Sequence, residues 1–358
     1  MNELLKKLIK NSTIKDSSVL TESRFFNEKD VIPTSVPALN IAFSGRLDGG
    51  LSTGLTTWAG PSKHFKTLFS LVSAKAYMEK YEDAIMMFFD SEFGTPIAYF
   101  DSLNIDKNRV IHIPLTDIEQ LKFEIMKQLE LITREDKVII VVDSIGNMAS
   151  KKEVEDALSE KSTADMTRAK QIKSLFRMVT PHLTMKDIPM LVVNHTYKTM
   201  ELYSKDVVGG GTGSYYSSDN IFIIGRQQEK EGTEVTGYNF IINVEKSRHT
   251  KEKSKIPISV RHEGGISRWS GLLDIAQDIG FVVKPSNGWY SRVNPETGEV
   301  EDKKWRAKET NSSAFWNMLL ESPNFKEKVR QKYQVSSGSL LSDEVIDNAI
   351  EGVESNAV

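Results

Sequence analysis

The chain has 358 residues, enough for one large core with smaller appendages, and its 39% hydrophobic and 27% charged fractions suit an ordinary globular protein. It contains no cysteine, which excludes disulfides, a thiolate nucleophile and sulfur-ligated zinc, and which fits a reducing cytoplasm. The formal net charge is -3, so any nucleic-acid site must be a local patch or one created by assembly.

In chain order, residues 1–10 carry Lys6, Lys7 and Lys10 but no apolar leader and no cleavage site. Leu4, Leu5, Leu8 and Ile9 give one apolar helical face, ended by Asn11-Ser12-Thr13. An arm over 1–32 is too small to bury that face and needs its own core or a neighbouring subunit. From 33 to 269 the pattern alternates. A glycine-rich turn (Gly49, Gly50, Gly54) leads through Leu55–Ala59 into Gly60. A helix is expected near 67–80, a strand at 84–89, a helix near 117–133, a strand at 137–143, a helix near 165–184 and a strand at 188–194. Continuous β-branched and aromatic runs between helices predict an α/β fold with a mostly parallel sheet covered on both faces. These runs are far too short to cross a bilayer, so no membrane partner is expected. After about 218 come three strands, 220–225, 238–245 and 256–261, expected antiparallel. A smaller C-terminal α/β part is expected over 270–335, helical at 271–280 and with a hairpin at Gly288-Trp289-Tyr290. Residues 336–358 carry Asp343, Glu344, Asp347, Glu351 and Glu354 but no Lys or Arg, and read as an acidic, weakly ordered tail.

Gly60-Pro61-Ser62-Lys63-His64-Phe65-Lys66-Thr67-Leu68 follows an expected strand and opens an expected helix. In a phosphate-binding P-loop the backbone N–H groups wrap the phosphates, the lysine reaches the outer ones and the hydroxyl binds magnesium. Gly60, Lys66 and Thr67 stand at the right offsets, which points to ATP and Mg2+. The usual second glycine is Phe65; because phenylalanine disfavours positive φ, the loop is expected to turn differently there. Two later strands end in acids, Phe89-Asp90-Ser91-Glu92 and Val142-Asp143-Ser144. In a parallel sheet both acids face the ligand. Asp143 suits a magnesium role and Glu92 suits a base that polarises the attacking water. The six histidines, at 64, 112, 182, 195, 249 and 262, form no close pair at metal-ligand spacing.

On Phe25–Val31, Gly60–Thr67, Asp90–Gly94, Asp143-Ser144, Ala149–Ala157, Asp165–Lys170, Gly209–Gly213, Val244–Arg248 and Gly288–Tyr290, the chain resembles the RecA family, and within it the recombinases of T-even-type bacteriophages. The resemblance implies a RecA-type core with Glu92 as catalytic base and Tyr99 stacked on adenine. Asn194-His195 falls where the family places a polar γ-phosphate sensor, commonly glutamine. Lys246 and Arg248 match a cation pair that completes the neighbouring subunit's ATP site; Arg248 replaces the usual lysine and adds a planar fork. Two segments with no strong helix or strand signal become DNA-binding loops. They are 148–164 with Lys151, Lys152 and Lys161, and 196–213 with Tyr197, Lys198, Tyr203, Lys205, Gly209, Gly210 and Gly211. Read without the resemblance, each is a mixed-charge surface loop.

The implied activity is that of a DNA-dependent ATPase and recombinase. It would form a homo-oligomeric helical filament on single-stranded DNA, pair it with homologous duplex DNA and promote strand exchange in recombination, repair and recombination-dependent replication. A recombination mediator and a single-stranded-DNA-binding protein are implied partners, in the cytoplasm of an infected bacterial host. Two alternatives share the motifs: a RecA-type ring DNA helicase or motor ATPase, and a non-catalytic scaffold that uses ATP only to assemble.

Overall fold

A computed structural model describes residues 2–25, 30–159, 166–199, 206–231, 234–261 and 265–336. The N-terminal helix α1 (Glu3–Lys10) is capped by the Asn2 side chain, which accepts from the Leu4 N–H, and it leaves Leu4, Leu5 and Leu8 exposed. Helix α2 (Pro37–Ser44) was not expected. It is short and buried nearly all round, so no 3.6-residue period marks it; its signal is Pro37 at the start and left-handed Gly45 at the end.

The alternating region then runs β1 (Gly54–Ala59), α3 (Lys66–Lys80), β2 (Ile85–Asp90), α4 (Ile97–Ser102), β3 (Val110–Pro114), α5 (Ile118–Leu131), β4 (Val138–Asp143), α6 (Lys151–Leu158), α7 (Thr167–Lys186) and β5 (Pro189–Asn194). A hairpin of β6 (Thr196–Lys198) and β7 (Asp206–Val208) and a short helix α8 (Thr212–Ser217) follow. Next come β8 (Asn220–Glu231), β9 (Glu234–Ser247), β10 (Lys255–Arg261) and β11 (Gly265–Ile266). The C-terminal part holds α9 (Leu272–Asp278), β12 (Val282–Ser286), β13 (Trp289–Arg292), β14 (Trp305–Arg306), α10 (Ser313–Glu321) and α11 (Pro323–Tyr333).

The main sheet has nine strands in the order β11-β10-β9-β8-β1-β5-β4-β2-β3. Pairing is parallel from β8 to β3 and antiparallel from β8 to β11. Strand β3 escaped the sequence reading because it is an exposed edge strand with polar His112 at its middle. Strands β8 and β9 run past the expected 225 and 238 as a ribbon whose polar residues carry no hydrophobic signal.

One face of the sheet is covered by α2 and α3, with Phe43, Trp58, Phe69 and Phe222 packed ring against ring. The other is covered by α5 and α7, through Leu121, Ile125, Leu175 and Phe176. The first cluster continues without a break into Phe315, Trp316 and Phe325 of α10 and α11. Register sets the site: Asp90 lies beside Asp143, and Ala59 beside Asn194. Four parallel strands thus end at one level, where a ligand of an open α/β sheet sits.

Candidate functional site

The loop after β1 begins at Gly60, whose φ is +156; a Cβ there would stand 3.1 Å from the Ile224 carbonyl oxygen. The expected change of course at Phe65 does not occur. Phe65 itself takes the left-handed conformation (φ +54, ψ 22), as does Lys63 (φ +60), and α3 starts directly after it. Such a conformation costs about 1–2 kcal/mol for a residue with a side chain. Packing holds it: the half-buried Phe65 ring lies 5.2 Å from that of buried Phe240. Tertiary contact therefore overrides the local preference that glycine would satisfy freely.

Lys66 is only 6% exposed, and its Nζ donates to the Pro61 carbonyl at 2.8 Å. Burial pulls its pKa below that of an ordinary lysine. Thr67 Oγ1 donates to Asp143 Oδ2 at 2.9 Å, and Thr95 Oγ1 donates to the same oxygen at 2.9 Å. Burial pushes the Asp143 carboxyl up, against these two bonds. Among the described residues no three His, Asp or Glu side chains gather as a metal cluster. A hydroxyl and a carboxylate side by side at the phosphate loop do fit a magnesium ion that takes most of its ligands from phosphate and water.

Glu92 Oε1 accepts from His195 Nε2 at 2.9 Å, from Asn147 Nδ2 at 3.2 Å and from the Ser144 hydroxyl. The His195 bond, opposed by burial and helped by Ser144, holds this carboxyl below the usual glutamate range. All three bonds fall on one oxygen, which leaves Oε2 for the cleft. The turn presenting Glu92 is built by Asp90: its Oδ1 accepts from the Glu92 and Phe93 N–H groups at 3.1 and 2.8 Å, and its Oδ2 meets His112 Nε2 at 3.2 Å. Sequence reading missed Asp90, Ser144 and Asn147, because strand-end Asp, Ser and Asn are common and nothing in their spacing singles them out.

Lys66, Thr67, Glu92, Thr95, Asp143 and His195 line a cleft of about 400 Å³ with Ser62, Lys63, His64, Phe65 and Leu68 in its wall. An adjoining chamber of about 700 Å³ is largely apolar, lined by Val36, Leu68, Val72 and Leu103. Tyr99, on α4, lies at the junction of the two. One polar and one apolar compartment match the two ends of a nucleotide.

Lys246 and Arg248 do not line this cleft. Lys246 Nζ donates to the Tyr215 and Tyr216 carbonyls of α8 at 2.8 and 3.2 Å, and burial lowers its pKa. Arg248 pairs through Nε with Asp219 and borders a separate groove of about 440 Å³.

Of the residues expected to meet DNA, Lys151 and Lys152 lie on α6, a helix where none was expected. Its Ser150–Glu153 capping box is a helix signal legible in the sequence that the expectation of a loop did not use. Lys152 is ion-paired to Asp156, and the helix carries three acids to two lysines. Tyr197 and Lys198 stand exposed on the β6–β7 hairpin, again structure where a loop was expected. The Gly209 N–H donates to the His195 carbonyl at 2.9 Å, and Asn194 Nδ2 donates to the Gly209 carbonyl at 2.8 Å. Gly210 and Gly211 have φ of +89 and +73, and Gly211 opens α8. Lys161, Tyr203, Lys205 and the acidic tail from 337 lie outside the described residues. Sequence reading missed exposed Lys170, Lys173 and Arg177, which the i, i+3, i+7 spacing on α7 places in one stripe ending at the Arg248 groove.

Residues 2–267 match the RecA N-terminal domain, and residues 269–329 match the C-terminal domain of the bacteriophage T4 recombination and repair protein. The chain is 51% identical to the recombination and repair protein of Enterobacteria phage T4, over 98% of this chain and 90% of that one. It is 25% identical to the RecA protein of Clostridioides difficile, over 89% of each. A RecA protein of Bacteroides thetaiotaomicron is 26% identical over 76% of this chain and 81% of its own. With a domain match over more than half its length and a relative this similar, the chain belongs to the RecA family.

Proposed function

We propose that the chain is an ATP-driven DNA recombinase, which hydrolyses ATP as a helical filament on single-stranded DNA and exchanges that strand into a homologous duplex. The observation that carries this reading is the wiring of Glu92. One of its oxygens is held by Ser144 and Asn147, which lead into the first expected DNA segment, and by His195, which immediately precedes the second. His195 and Asn194 also fasten Gly209, so DNA seated on the glycine run is two hydrogen bonds from the catalytic carboxylate. Ordering of both segments by DNA would reach the base directly.

In this mechanism the loop N–H groups and Lys66 hold the triphosphate, while Tyr99 and the apolar chamber take the base. Thr67 and Asp143 would hold magnesium, which when bound would supply charge neutralisation on the phosphates. Glu92, a carboxylate held below the usual glutamate range chiefly by its His195 bond, accepts a proton from the attacking water through Oε2. Lys246 and Arg248 act on the neighbouring subunit's phosphates, which makes hydrolysis depend on assembly. End-to-end similarity to recombination proteins favours a filament over a ring motor. A recombination mediator and a single-stranded-DNA-binding protein are the further partners of this reading, in the cytoplasm of an infected bacterium. Among the described residues no helix is long and apolar enough to cross a membrane.

ATP turnover with and without long single-stranded DNA, on wild type and Glu92→Gln, tests the proposal. DNA stimulation in wild type and a loss of about 10²–10⁴-fold in the variant are expected, with ATP-dependent filaments still visible by electron microscopy. Equal wild-type turnover with and without DNA would overturn it.

A further inference from the structure

We infer that Asp219 is a positioning residue that pre-orients Arg248, through its Nε, for the nucleotide of a neighbouring subunit. The inference rests on the proposed role of Arg248 in trans. Asp219 is fixed from behind: its N–H donates to the Leu55 carbonyl at 2.8 Å, and its Oδ2 accepts from the Leu55 N–H at 2.9 Å. β1 leaves room for this carboxylate only because residue 54 is glycine. A Cβ there would stand 2.1 Å from Asp219 Oδ2, and its φ is +106. The Asp219 side chain is 17% exposed, whereas that of Arg248 is 68% exposed. A fixed carboxylate therefore forms an ion pair at Nε, on the inner edge of an arginine whose side chain is otherwise mostly exposed.

Arginine alone can use such a grip. Its guanidinium carries five donors in a rigid fork, so one edge can be tied while the two terminal nitrogens stay free for a phosphate. Lysine has a single nitrogen; held by Asp219, it has no second nitrogen to aim at a phosphate. The carboxylate therefore accounts for arginine at 248. Lys246 is held likewise, by two α8 carbonyls, so both cations are in place before a neighbour docks. Ordering them beforehand removes a cost that assembly would otherwise bear.

The test measures DNA-dependent kcat, KM for ATP and melting temperature for Arg248→Ala, Asp219→Asn, Arg248→Lys and the double variant Asp219→Asn/Arg248→Lys. Mixing Arg248→Ala with Glu92→Gln checks the underlying reading on its own. Recovery of ATPase on mixing shows action in trans, and no recovery sinks that reading whatever Asp219 does. Given recovery, Arg248→Ala should lower kcat by about 10³-fold or more. Asp219→Asn turns an amide N–H₂ toward Arg248 and should lower kcat about tenfold, with KM unchanged. Arg248→Lys should be nearly as impaired as Arg248→Ala. Removing the Asp219 charge in the double variant should restore at least about fivefold over Arg248→Lys, part of the tenfold that positioning is worth. Wild-type kcat in Asp219→Asn, or a double variant no better than Arg248→Lys, would refute the inference. If Asp219→Asn fails to fold, Arg248→Lys alone decides, since full activity there refutes it.

Discussion

The cleft proposed to hold the nucleotide and the segments proposed to face DNA are built on opposite terms. In the cleft, Lys66 and Asp143 are 6% and 3% exposed, and each is tied by hydrogen bonds to its own subunit. Of the segments proposed to meet DNA, Tyr197 and Lys198 are exposed, and so is the α7 stripe of Lys170, Lys173 and Arg177. Phosphate chemistry at one bound nucleotide rewards few, pre-set contacts in a dry cleft. A grip on a polymer rewards many exchangeable charges, none of them decisive. A single change should therefore be large and specific in the cleft, and graded on the DNA side.

Asp143→Asn gives the largest contrast. Phosphate hydrolysis should fall by about 10²-fold or more, because the magnesium-side charge is lost. Melting temperature should rise. Burial raises the Asp143 pKa, so its charged form disfavours the fold above that raised value, and the penalty fades as pH falls through it toward the unfolded value. The gain in melting temperature should shrink in parallel at low pH; a lower melting temperature at pH 7 would contradict this.

Next in size is the α7 stripe. Lys170, Lys173 and Arg177 changed together to alanine should weaken single-stranded DNA binding at least about tenfold and reduce the slope of log affinity against log salt by about 2, at roughly 0.7 per lost phosphate contact. Lys151 and Lys152 changed to alanine should alter affinity far less, since Lys152 is already neutralised by Asp156. The reverse ranking would return the DNA grip to α6.

The smallest effect isolates the strained turn. Phe65→Ala and Phe65→Gly lose the same ring contact, but only glycine relaxes the left-handed backbone, so Phe65→Gly should be the more stable by about 1 kcal/mol in chemical denaturation. Equal stabilities would mean that the backbone at 65 is not strained.

The parts legible in the sequence were those written in local order. Gly60–Thr67 declared a phosphate loop, and the acids at 92 and 143 followed strands whose hydrophobic runs were unmistakable. The hydrogen bonds that hold Glu92 come from 144, 147 and 195, positions brought together only by sheet register. The turn at Phe65 was misjudged because a propensity was weighed without the Phe240 ring that overrides it. Helix α6 was missed although its capping box stood in view, and α2 and β3 because full burial and edge exposure both erase periodicity.

Arg248 lies outside the cleft that holds Glu92, and this separation has a consequence that can be counted. If each catalytic centre borrows its cation from the next copy, an open stack always has one complete centre fewer than it has members. Turnover per subunit then climbs with the length of the DNA lattice and levels off, while in a closed ring, where every member has a successor, the same curve is flat.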